Sequence, residues 1–357
     1  MNICIYLSDA FEPGGVGRAA SVTANALCAR HAVSLLSYCA LAPEPGRLDP
    51  RVAAESQHVV RRALRHTLPE SAWMLRRYLV RNRIDVLICA GEQLAPVCAL
   101  ARLGLPVRVV FWAHANAFVT GEFRFQRQCR ALAVRMADAV VTLTAESQAL
   151  LEARYPIRRA AQIPNPIDPR LLAPRTYRAQ SQKILSVGRL CPAKDFERLA
   201  DVAARVLPQH PGWTWDIYGE GEERSAIERA IARRGLTGRV RLMGAVRDLY
   251  ARYPDYALLV MTSRYEGFPM ALLEGMACAL PLAAFNVPTG PREIIEDGVN
   301  GCLVAPGDVA AMAACVSELI EAPARRCAMA AANLQKRAHY SAADCAARWD
   351  ALLETLR

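Results

Sequence analysis

Two glutamates, Glu266 and Glu274, lie in the segment of the sequence best suited to chemistry, residues 263–277. A short apolar run typical of a buried strand precedes this segment. Gly267 permits a tight backbone, and Pro269 suits the first turn of a helix. The N-terminus of such a helix offers unpaired N–H groups and a positive dipole end, which suit a phosphate or sugar hydroxyls. The pattern therefore predicts Glu266 in a loop and Glu274 inside the helix that follows.

Paired carboxylates are also typical of glycoside hydrolases, which hold them about 5–10 Å apart across one bond. If Glu266 and Glu274 were both helical, they would lie ~12 Å apart along the axis and ~80° apart around it. The loop before the helix leaves some freedom, but the spacing favours separate roles for the two glutamates.

The elements that must position these residues follow from the hydrophobic pattern. Short apolar runs alternate with amphipathic, helix-length segments, which is typical of parallel strands joined by crossover helices in a doubly wound domain. In the first part of the chain, strands are predicted at 3–7, 33–38, 86–90, 107–112, 139–143 and 161–164, with helices that include 16–29 and 122–137.

Prolines at 164, 166, 169 and 174 interrupt the alternation and predict a linker at 167–182. The pattern then resumes with strands at 183–187, 213–218, 240–243, 257–261 and 280–285, followed by helices at 309–320, 323–337 and 341–356. We expect two Rossmann-like domains, at 1–166 and 183–340, and a C-terminal helix at 341–357 that packs back on the first domain. Ligands of open α/β sheets bind at the carboxyl ends of strands, so we expect the active site in a cleft between the domains.

Composition excludes several classes of protein. The sequence has no apolar stretch of about 20 residues that could span a bilayer. Its first residues lack the basic lead-in and cleavage site of a signal peptide, so a cytoplasmic location is expected. None of the twelve cysteines forms a C-x-x-C pair, which favours reduced thiols over a metal site or a disulfide framework.

Positive charge is concentrated in the first part of the chain. The net charge is +8 over residues 1–166 and +2 over the remainder. Residues 51–83 contain eight arginines, with His66, Trp73 and Tyr78 among them, and the arginine-rich segment 122–137 extends the basic character. Such a cluster suits either an anionic membrane surface or a solvated helix face. The functional context given below favours the membrane, and no nucleic-acid partner is expected.

The segment 263–277 resembles the E-x7-E motif of family 4 of the retaining glycosyltransferases, within S-x-x-E-G-F-P-x-x-x-L-E-x-M-A. These enzymes have the GT-B fold, in which two Rossmann-like domains face a cleft. Other motifs of the family match in the same order along nearly the whole chain: Gly14-Gly15, His114 after Phe111-Trp112-Ala113, Val187-Gly188-Arg189-Leu190 with Lys194, Tyr218-Gly219-Glu220-Gly221, and Gly290-Pro291-Arg292-Glu293.

The resemblance implies roles for residues of the second domain. Arg189 and Lys194 would hold the donor diphosphate and offset the charge of the leaving nucleotide. Glu274 would accept hydrogen bonds from the ribose. Glu266 would hold the donor sugar, together with the backbone amides of Gly267, Phe268 and Met270.

In the first domain, the resemblance implies that His114 lies near the reacting sugar and that Gly14 and Gly15 let the backbone approach the diphosphate. Each role has an ordinary structural alternative. Arg189 and Lys194 could form surface salt bridges, Glu274 could face solvent, and His114 could be a core histidine. The glycine pairs at 14–15 and at 219 and 221 could be ordinary strand-to-helix turns.

The sequence contains no D-x-D motif, which commonly holds a metal–diphosphate complex in the other major transferase fold. We therefore expect a site that works without a metal. We also expect no cofactor, because the nucleotide sugar is itself a substrate. The expected activity is retaining transfer of a hexose or N-acetylhexosamine, from a donor that is UDP-linked, to a glycan or lipid-linked glycan in bacterial surface polysaccharide synthesis. The alternatives are a nucleotide-sugar epimerase or hydrolase on the same fold and a dinucleotide-binding regulatory module.

Overall fold

A computed structural model describes residues 1–11, 14–39, 46–60, 63–116, 124–173, 176–246 and 248–357. The chain divides into two compact units. The first comprises Met1–Asp168 together with Tyr340–Arg357, and the second comprises Pro169–His339. The C-terminal segment thus belongs to the first unit, although the whole second unit precedes it in the sequence.

The first unit is built on seven strands: β1 (Asn2–Leu7), β2 (Ala32–Cys39), β3 (Ala53–His58), β4 (Val86–Ala90), β5 (Arg108–Ala113), β6 (Ala139–Thr142) and β7 (Ala160–Gln162). Its helices are α1 (Gly15–Leu27), α2 (Leu64–Arg81), α3 (Ala95–Ala101), α4 (Arg124–Met136), α5 (Ala145–Arg154) and the C-terminal α12 (Ala342–Glu354). The strands form one parallel sheet in the order β3-β2-β1-β4-β5-β6-β7. Every residue of β4 is buried, as expected for a parallel strand that is covered on both faces.

The second unit is built on six strands: β8 (Lys183–Val187), β9 (Thr214–Tyr218), β10 (Val240–Gly244), β11 (Leu258–Met261), β12 (Leu282–Phe285) and β13 (Gly301–Val304). Its helices are α6 (Phe196–Val206), α7 (Arg224–Arg233), α8 (Met270–Ala277), α9 (Pro291–Ile294), α10 (Val309–Glu321) and α11 (Pro323–Lys336). All pairs are parallel, in the order β10-β9-β8-β11-β12-β13.

Strand order fixes where each unit can bind a ligand. In both sheets the chain first winds to one side and then to the other, so the order reverses between β1 and β4 and again between β8 and β11. A crevice opens at such a switch point, outside the carboxyl ends of the strands. In the second unit these ends lead into the loops 188–195 and 262–269.

The doubly wound α/β class of both units is confirmed, and two strands were not predicted. Strand β3 lies at the sheet edge, and its first four residues are exposed, so its sequence lacks an apolar run. Strand β13 is also an edge strand, only four residues long. Because β3 occupies part of 51–83, the helix in that region begins only at Leu64. The expected positions 122, 123 and 174 lie outside the described residues.

The composition predicted the absence of a membrane-spanning segment and the presence of reduced cysteines. None of the helices in the described ranges combines the length and apolar character needed to cross a membrane. The twelve cysteines are free thiols, and most of them are buried.

Candidate active site

Lys194 and Glu266 meet at the switch point of the second unit. Lys194 lies in the loop after β8 and Glu266 in the loop after β11, and Lys194 Nζ donates to Glu266 Oε1 over 2.5 Å. The Glu266 side chain is 8% exposed and that of Lys194 is 22% exposed. A charge-assisted hydrogen bond in so sheltered a place is stronger than one at the surface. Lys194, predicted to hold the donor diphosphate, and Glu266, predicted to hold the donor sugar, are therefore direct partners.

Neighbouring hydroxyl groups hold Glu266 in place. Ser263 Oγ donates to the same Glu266 Oε1 over 2.6 Å. Thr289, from the loop after β12, donates through Oγ1 to the Glu266 carbonyl oxygen. Three loops at the carboxyl edge of the sheet are thus joined at one residue. No role was predicted from the sequence for Ser263 or Thr289. For Thr289 the reason is that nothing in a single sequence pairs it with Glu266.

Asp195 fixes the loop that carries Lys194. It is buried and accepts hydrogen bonds from Arg198 Nε at 2.7 Å and from Arg264 Nε at 2.9 Å. Burial acts to raise the pKa of Asp195, but the hydrogen bonds from Arg264 and Arg198 outweigh it and lower that pKa. Asp195 and Thr289 both have positive φ, 51° and 65°, which is uncommon outside glycine. Strained residues of this kind cluster at functional sites.

Glu274 lies inside α8, as predicted, and it is buried. Tyr253 OH donates to Glu274 Oε2 over 2.7 Å. The alternative in which Glu274 faces solvent is therefore wrong. Tyr253 comes from the segment before β11, and no motif in the sequence marks it.

Arg189 differs from Lys194 in its surroundings. Its side chain is exposed and makes no ion pair or hydrogen bond with any residue in the described ranges. The salt-bridge alternative is therefore wrong for Arg189. Lys194 does form a salt bridge, but its partner is Glu266, a residue of the same predicted site, and the Glu266 side chain is only 8% exposed.

The remaining predicted donor-binding residues of this unit surround the start of α8. Pro269 occupies the position before the first helical residue rather than the first turn, and Met270 begins the helix. Phe268 is buried, whereas Gly267 and Met270 are partly exposed. The N-terminus of α8 therefore begins four residues after Glu266.

Gly219 and Gly221 have a structural explanation. A Cβ at Gly219 would lie 1.8 Å from the Gly188 carbonyl oxygen, and one at Gly221 would lie 2.3 Å from that of Leu190. Leu190 N also donates to Glu220 O over 2.9 Å. These glycines allow the loop after β9 to pack against the loop after β8, so the ordinary-turn alternative accounts for them.

In the glycine loop of the first unit, by contrast, packing does not account for Gly14. Gly14 precedes α1 and Gly15 is its first residue, and no side chain caps this helix end. A Cβ at Gly14 would meet no heavy atom within 4 Å, whereas one at Gly17 would lie 2.8 Å from the Ala10 carbonyl oxygen. The described packing thus explains a glycine at position 17 and leaves the surface at Gly14 open.

His114 follows β5 in the first unit. Its ring packs on Trp112 with the centroids 4.4 Å apart. The ring atom Nε2 is buried and has no hydrogen-bond partner among the described residues. Burial lowers the pKa of His114 to about 3, so the ring is neutral near pH 7. A hydrogen-bonded core histidine is therefore not what the structure shows.

Loop 188–195 of the second unit carries two cations. Among the described residues Arg189 has no ion-pair partner, whereas Lys194 pairs with Glu266, which precedes the N-terminus of α8 in the chain. Cations and helix N-termini stabilise phosphate oxygens. A buried carboxylate such as Glu274 can accept hydrogen bonds from ligand hydroxyls. His114, Gly14 and Gly15 belong to the first unit.

Comparison with known proteins identifies two family models. The model described as "Glycosyltransferase Family 4" matches residues 13–171, and the model described as "Glycosyl transferases group 1" matches residues 181–322. Between them the two models match most of the chain.

Individual relatives agree with these matches. The chain is 26% identical over 325 residues to an uncharacterized glycosyltransferase of Haemophilus influenzae, covering 90% of this chain and 91% of the relative. It is 26% identical over 361 residues to the amylovoran biosynthesis glycosyltransferase AmsD of Erwinia amylovora, covering 99% of each. The fold is similar to that of TarM from S. aureus, crystallised with UDP, with a TM-score of 0.84, 15% identity and 99% coverage of both chains.

Proposed function

The chain belongs to family 4 of the glycosyltransferases, and we propose that it transfers a hexose or N-acetylhexosamine from a UDP-linked donor with retention of anomeric configuration. The proposed acceptor is a glycan or lipid-linked glycan of a bacterial surface polysaccharide. The observation that carries this proposal is the arrangement of Arg189 and the Lys194–Glu266 pair at the switch point of the second unit.

Charge development explains why two cations belong at this position. When the bond between sugar and diphosphate breaks, the leaving nucleotide gains negative charge. Fixed cations in a sheltered site stabilise that charge most in the transition state, where it is largest. Arg189 is free to form a bidentate contact with phosphate oxygens. Lys194 is already oriented by Glu266, so it loses little freedom on binding the same group.

The two glutamates take different parts of the donor. Glu274 is buried and held by Tyr253, which suits a fixed acceptor for ribose hydroxyls. Glu266 lies next to Lys194 and before the N-terminus of α8, which suits the sugar ring and its link to the diphosphate. We assign the amides of Gly267, Phe268 and Met270 to the donor sugar as well.

We also assign roles in sugar transfer to three residues of the first unit. Gly14 and Gly15, at the open N-terminus of α1, would allow the diphosphate to approach the backbone. His114 is neutral and its Nε2 atom has no described partner, so it can form a hydrogen bond with a sugar hydroxyl.

The functions of two similar proteins support the choice of donor and pathway. AmsD acts in amylovoran biosynthesis, and the TarM structure contains UDP and α-GlcNAc-glycerol. We infer a UDP-linked donor and a polysaccharide product from these two proteins.

A two-step experiment tests the proposal. Nucleotide sugars are first screened by thermal shift, since a ligand that binds the folded state raises its apparent stability. The donor found in this way is then incubated with candidate glycan acceptors, and the products are separated and their anomeric configuration is determined. A new glycoside with the donor's configuration supports the proposal. Conversion or hydrolysis of the donor without transfer would identify an epimerase or hydrolase, and stabilisation by NAD alone would identify a dinucleotide-binding module.

We also propose that the first unit docks on an anionic membrane surface. Exposed large apolar side chains occur on the helices α2, α3 and α4 or just after them: Trp73, Val80, Leu100, Leu103 and Phe125. Exposed arginines lie on α2 and α4, including Arg77, whose guanidinium lies 4.7 Å from the Trp73 ring centroid. Apolar side chains mixed with arginines fit the boundary of an anionic bilayer.

The structure narrows the set of arginines available for docking. Arg130 is buried in α4 and donates to Glu92 over 3.1 Å, so it does not extend the basic surface as expected. Arg51 and Arg81 pair with Asp49 and Glu55. Arg61 and Arg62 lie outside the described residues.

A further inference from the structure

Three aromatic rings in the first unit form a continuous stack that reaches from the C-terminal helix to His114. The Trp349 ring, on α12, packs edge-on against Trp112 with centroids 5.1 Å apart and planes at 78°. Trp112, on β5, packs in turn against His114 with centroids 4.4 Å apart and planes at 48°. Both tryptophans are fully buried. Ring pairs in this geometry stabilise more than their buried area alone.

Among the described residues, three buried nitrogen atoms of these rings lack a hydrogen-bond partner. Trp112 Nε1, His114 Nε2 and Trp349 Nε1 are buried, and none has a hydrogen-bond partner within the described parts of the chain. A buried polar atom without a partner is costly and usually has a reason. The described contacts of the three rings with one another are therefore packing contacts, between His114 and Trp112 and between Trp112 and Trp349.

The helix that carries Trp349 is itself fixed by the next residue. Asp350 accepts a hydrogen bond from Arg30 Nη1 at 2.8 Å, and its other oxygen lies 2.8 Å from His31 Nε2. Successive residues of a helix point about 100° apart, so Trp349 and Asp350 hold α12 in two different directions. The rotation of α12, and with it the position of the Trp349 ring, is thus restrained.

We propose that Trp349 and Trp112 are positioning residues that hold the His114 ring in the orientation required for sugar transfer. This inference rests on the proposed function, in which His114 contacts the reacting sugar. The tryptophans do not touch the donor; they act through the ring of His114. The C-terminal helix is in this way part of the catalytic apparatus of the first unit.

Kinetics of three α12 variants test the proposal. Trp349→Leu removes the ring contact and should lower kcat at least about tenfold, since small displacements of catalytic groups are costly. The donor KM and the affinity for UDP should stay within about twofold, because the proposed UDP contacts lie mainly in the second unit. Trp349→Phe keeps an aromatic ring and should recover most of the activity. Leu353→Ala removes another fully buried α12 side chain and serves as a control for lost packing.

A measurement without turnover separates this inference from the proposed function. The chain has six histidines, so the His114 ring resonances can be assigned by comparison with His114→Gln in histidine-labelled protein. Trp349→Leu and Trp112→Leu should both shift these resonances, whereas Leu353→Ala should leave them in place.

The outcomes are distinct. Unchanged His114 resonances in Trp349→Leu, or a loss of kcat in Leu353→Ala as large as that in Trp349→Leu at equal thermal stability, would overturn the positioning role. If the wild type transfers no sugar from any donor, but Trp349→Leu and Trp112→Leu still shift the His114 resonances, the proposed function is contradicted and the ring coupling stands.

Discussion

Lys194 Nζ and Glu266 Oε1 lie 2.5 Å apart, which joins the loop after β8 to the loop after β11. The carboxylate of Glu266 partly balances the positive charge of Lys194. Arg189, in the same loop, is exposed and has no described partner. The two cations should consequently respond differently to mutation.

Arg189→Ala and Lys194→Ala should each cost about 2–4 kcal/mol of transition-state stabilisation, the loss expected for one fixed donor to a developing anion. Only Lys194→Ala should also lower the thermal stability, because it leaves the Glu266 carboxylate buried without its cation. The measurements are kcat/KM and a thermal melt. Arg229→Ala, at an exposed arginine of α7, is the control. Near-normal turnover of both folded variants would contradict the proposal that Arg189 and Lys194 bind the donor diphosphate.

The two glutamates should separate binding from turnover. Glu274→Ala should chiefly weaken UDP binding, because a ribose contact is present in both ground and transition states. Glu266→Ala should chiefly lower kcat, because it lies at the reacting end of the donor. Isothermal titration with UDP and steady-state kinetics measure the two effects.

Tyr253→Phe refines this test, because it removes only the hydroxyl that donates to Glu274. It should weaken UDP binding in the same direction as Glu274→Ala but by less, at about 0.5–1.5 kcal/mol for one hydrogen bond. A larger loss of UDP affinity in Glu266→Ala than in Glu274→Ala would reverse the assigned roles.

These residues show how far sequence reasoning reaches. The loop position of Glu266 and the helical position of Glu274 follow from local signals, namely an apolar run, a glycine, a proline and a helical period. The partners Tyr253 and Thr289 do not, because they come from other loops and are brought close only by strand order. Strand β3 was missed for a related reason, since an exposed edge strand carries no apolar signal.

Transfer should survive chelation of divalent metals. The prediction rests on the absence of a D-x-D motif and on the two cations that the site supplies to the diphosphate. Activity is measured after treatment with EDTA and then with added magnesium or manganese. Activity that EDTA abolishes and a metal restores would show that the leaving group is stabilised in another way.

His114 should make folding stability depend on pH. Burial lowers the pKa of His114 to about 3, while the unfolded chain has a histidine pKa of about 6.5. Between these values the unfolded state binds more protons, so the free energy of unfolding falls as pH falls, by at most about 1.4 kcal/mol per pH unit. Above pH 6.5 the contribution vanishes.

Urea unfolding of wild type and His114→Gln at pH 7 and pH 5 measures this dependence. The wild type should lose about 2 kcal/mol more than the variant between the two values, because only the wild type carries the imidazole with the lowered pKa. Equal losses in the two proteins would show that His114 is protonated in the folded state at pH 5.

Vesicle binding should require the arginines of the first unit. The protein should co-sediment with vesicles that contain anionic lipid and not with neutral vesicles. Each basic residue near such a surface contributes about 1 kcal/mol, so a few suffice for reversible docking. Binding should weaken as salt rises, because surface charges are screened within about 8–10 Å near physiological ionic strength.

Charge reversal locates the docking surface. Arg77→Glu with Arg124→Glu changes two exposed positions on α2 and α4 and should reduce the affinity for anionic vesicles at least about tenfold. Arg229→Glu with Arg233→Glu makes the same change in net charge on α7 of the second unit and should have little effect. Trp73→Ser tests the apolar part, since it removes an exposed ring and leaves the net charge unchanged. If both charge-reversed proteins lose affinity equally, net charge rather than this surface drives binding. If wild type binds neither vesicle type, the arginines of α2 and α4 are an ordinary solvated face.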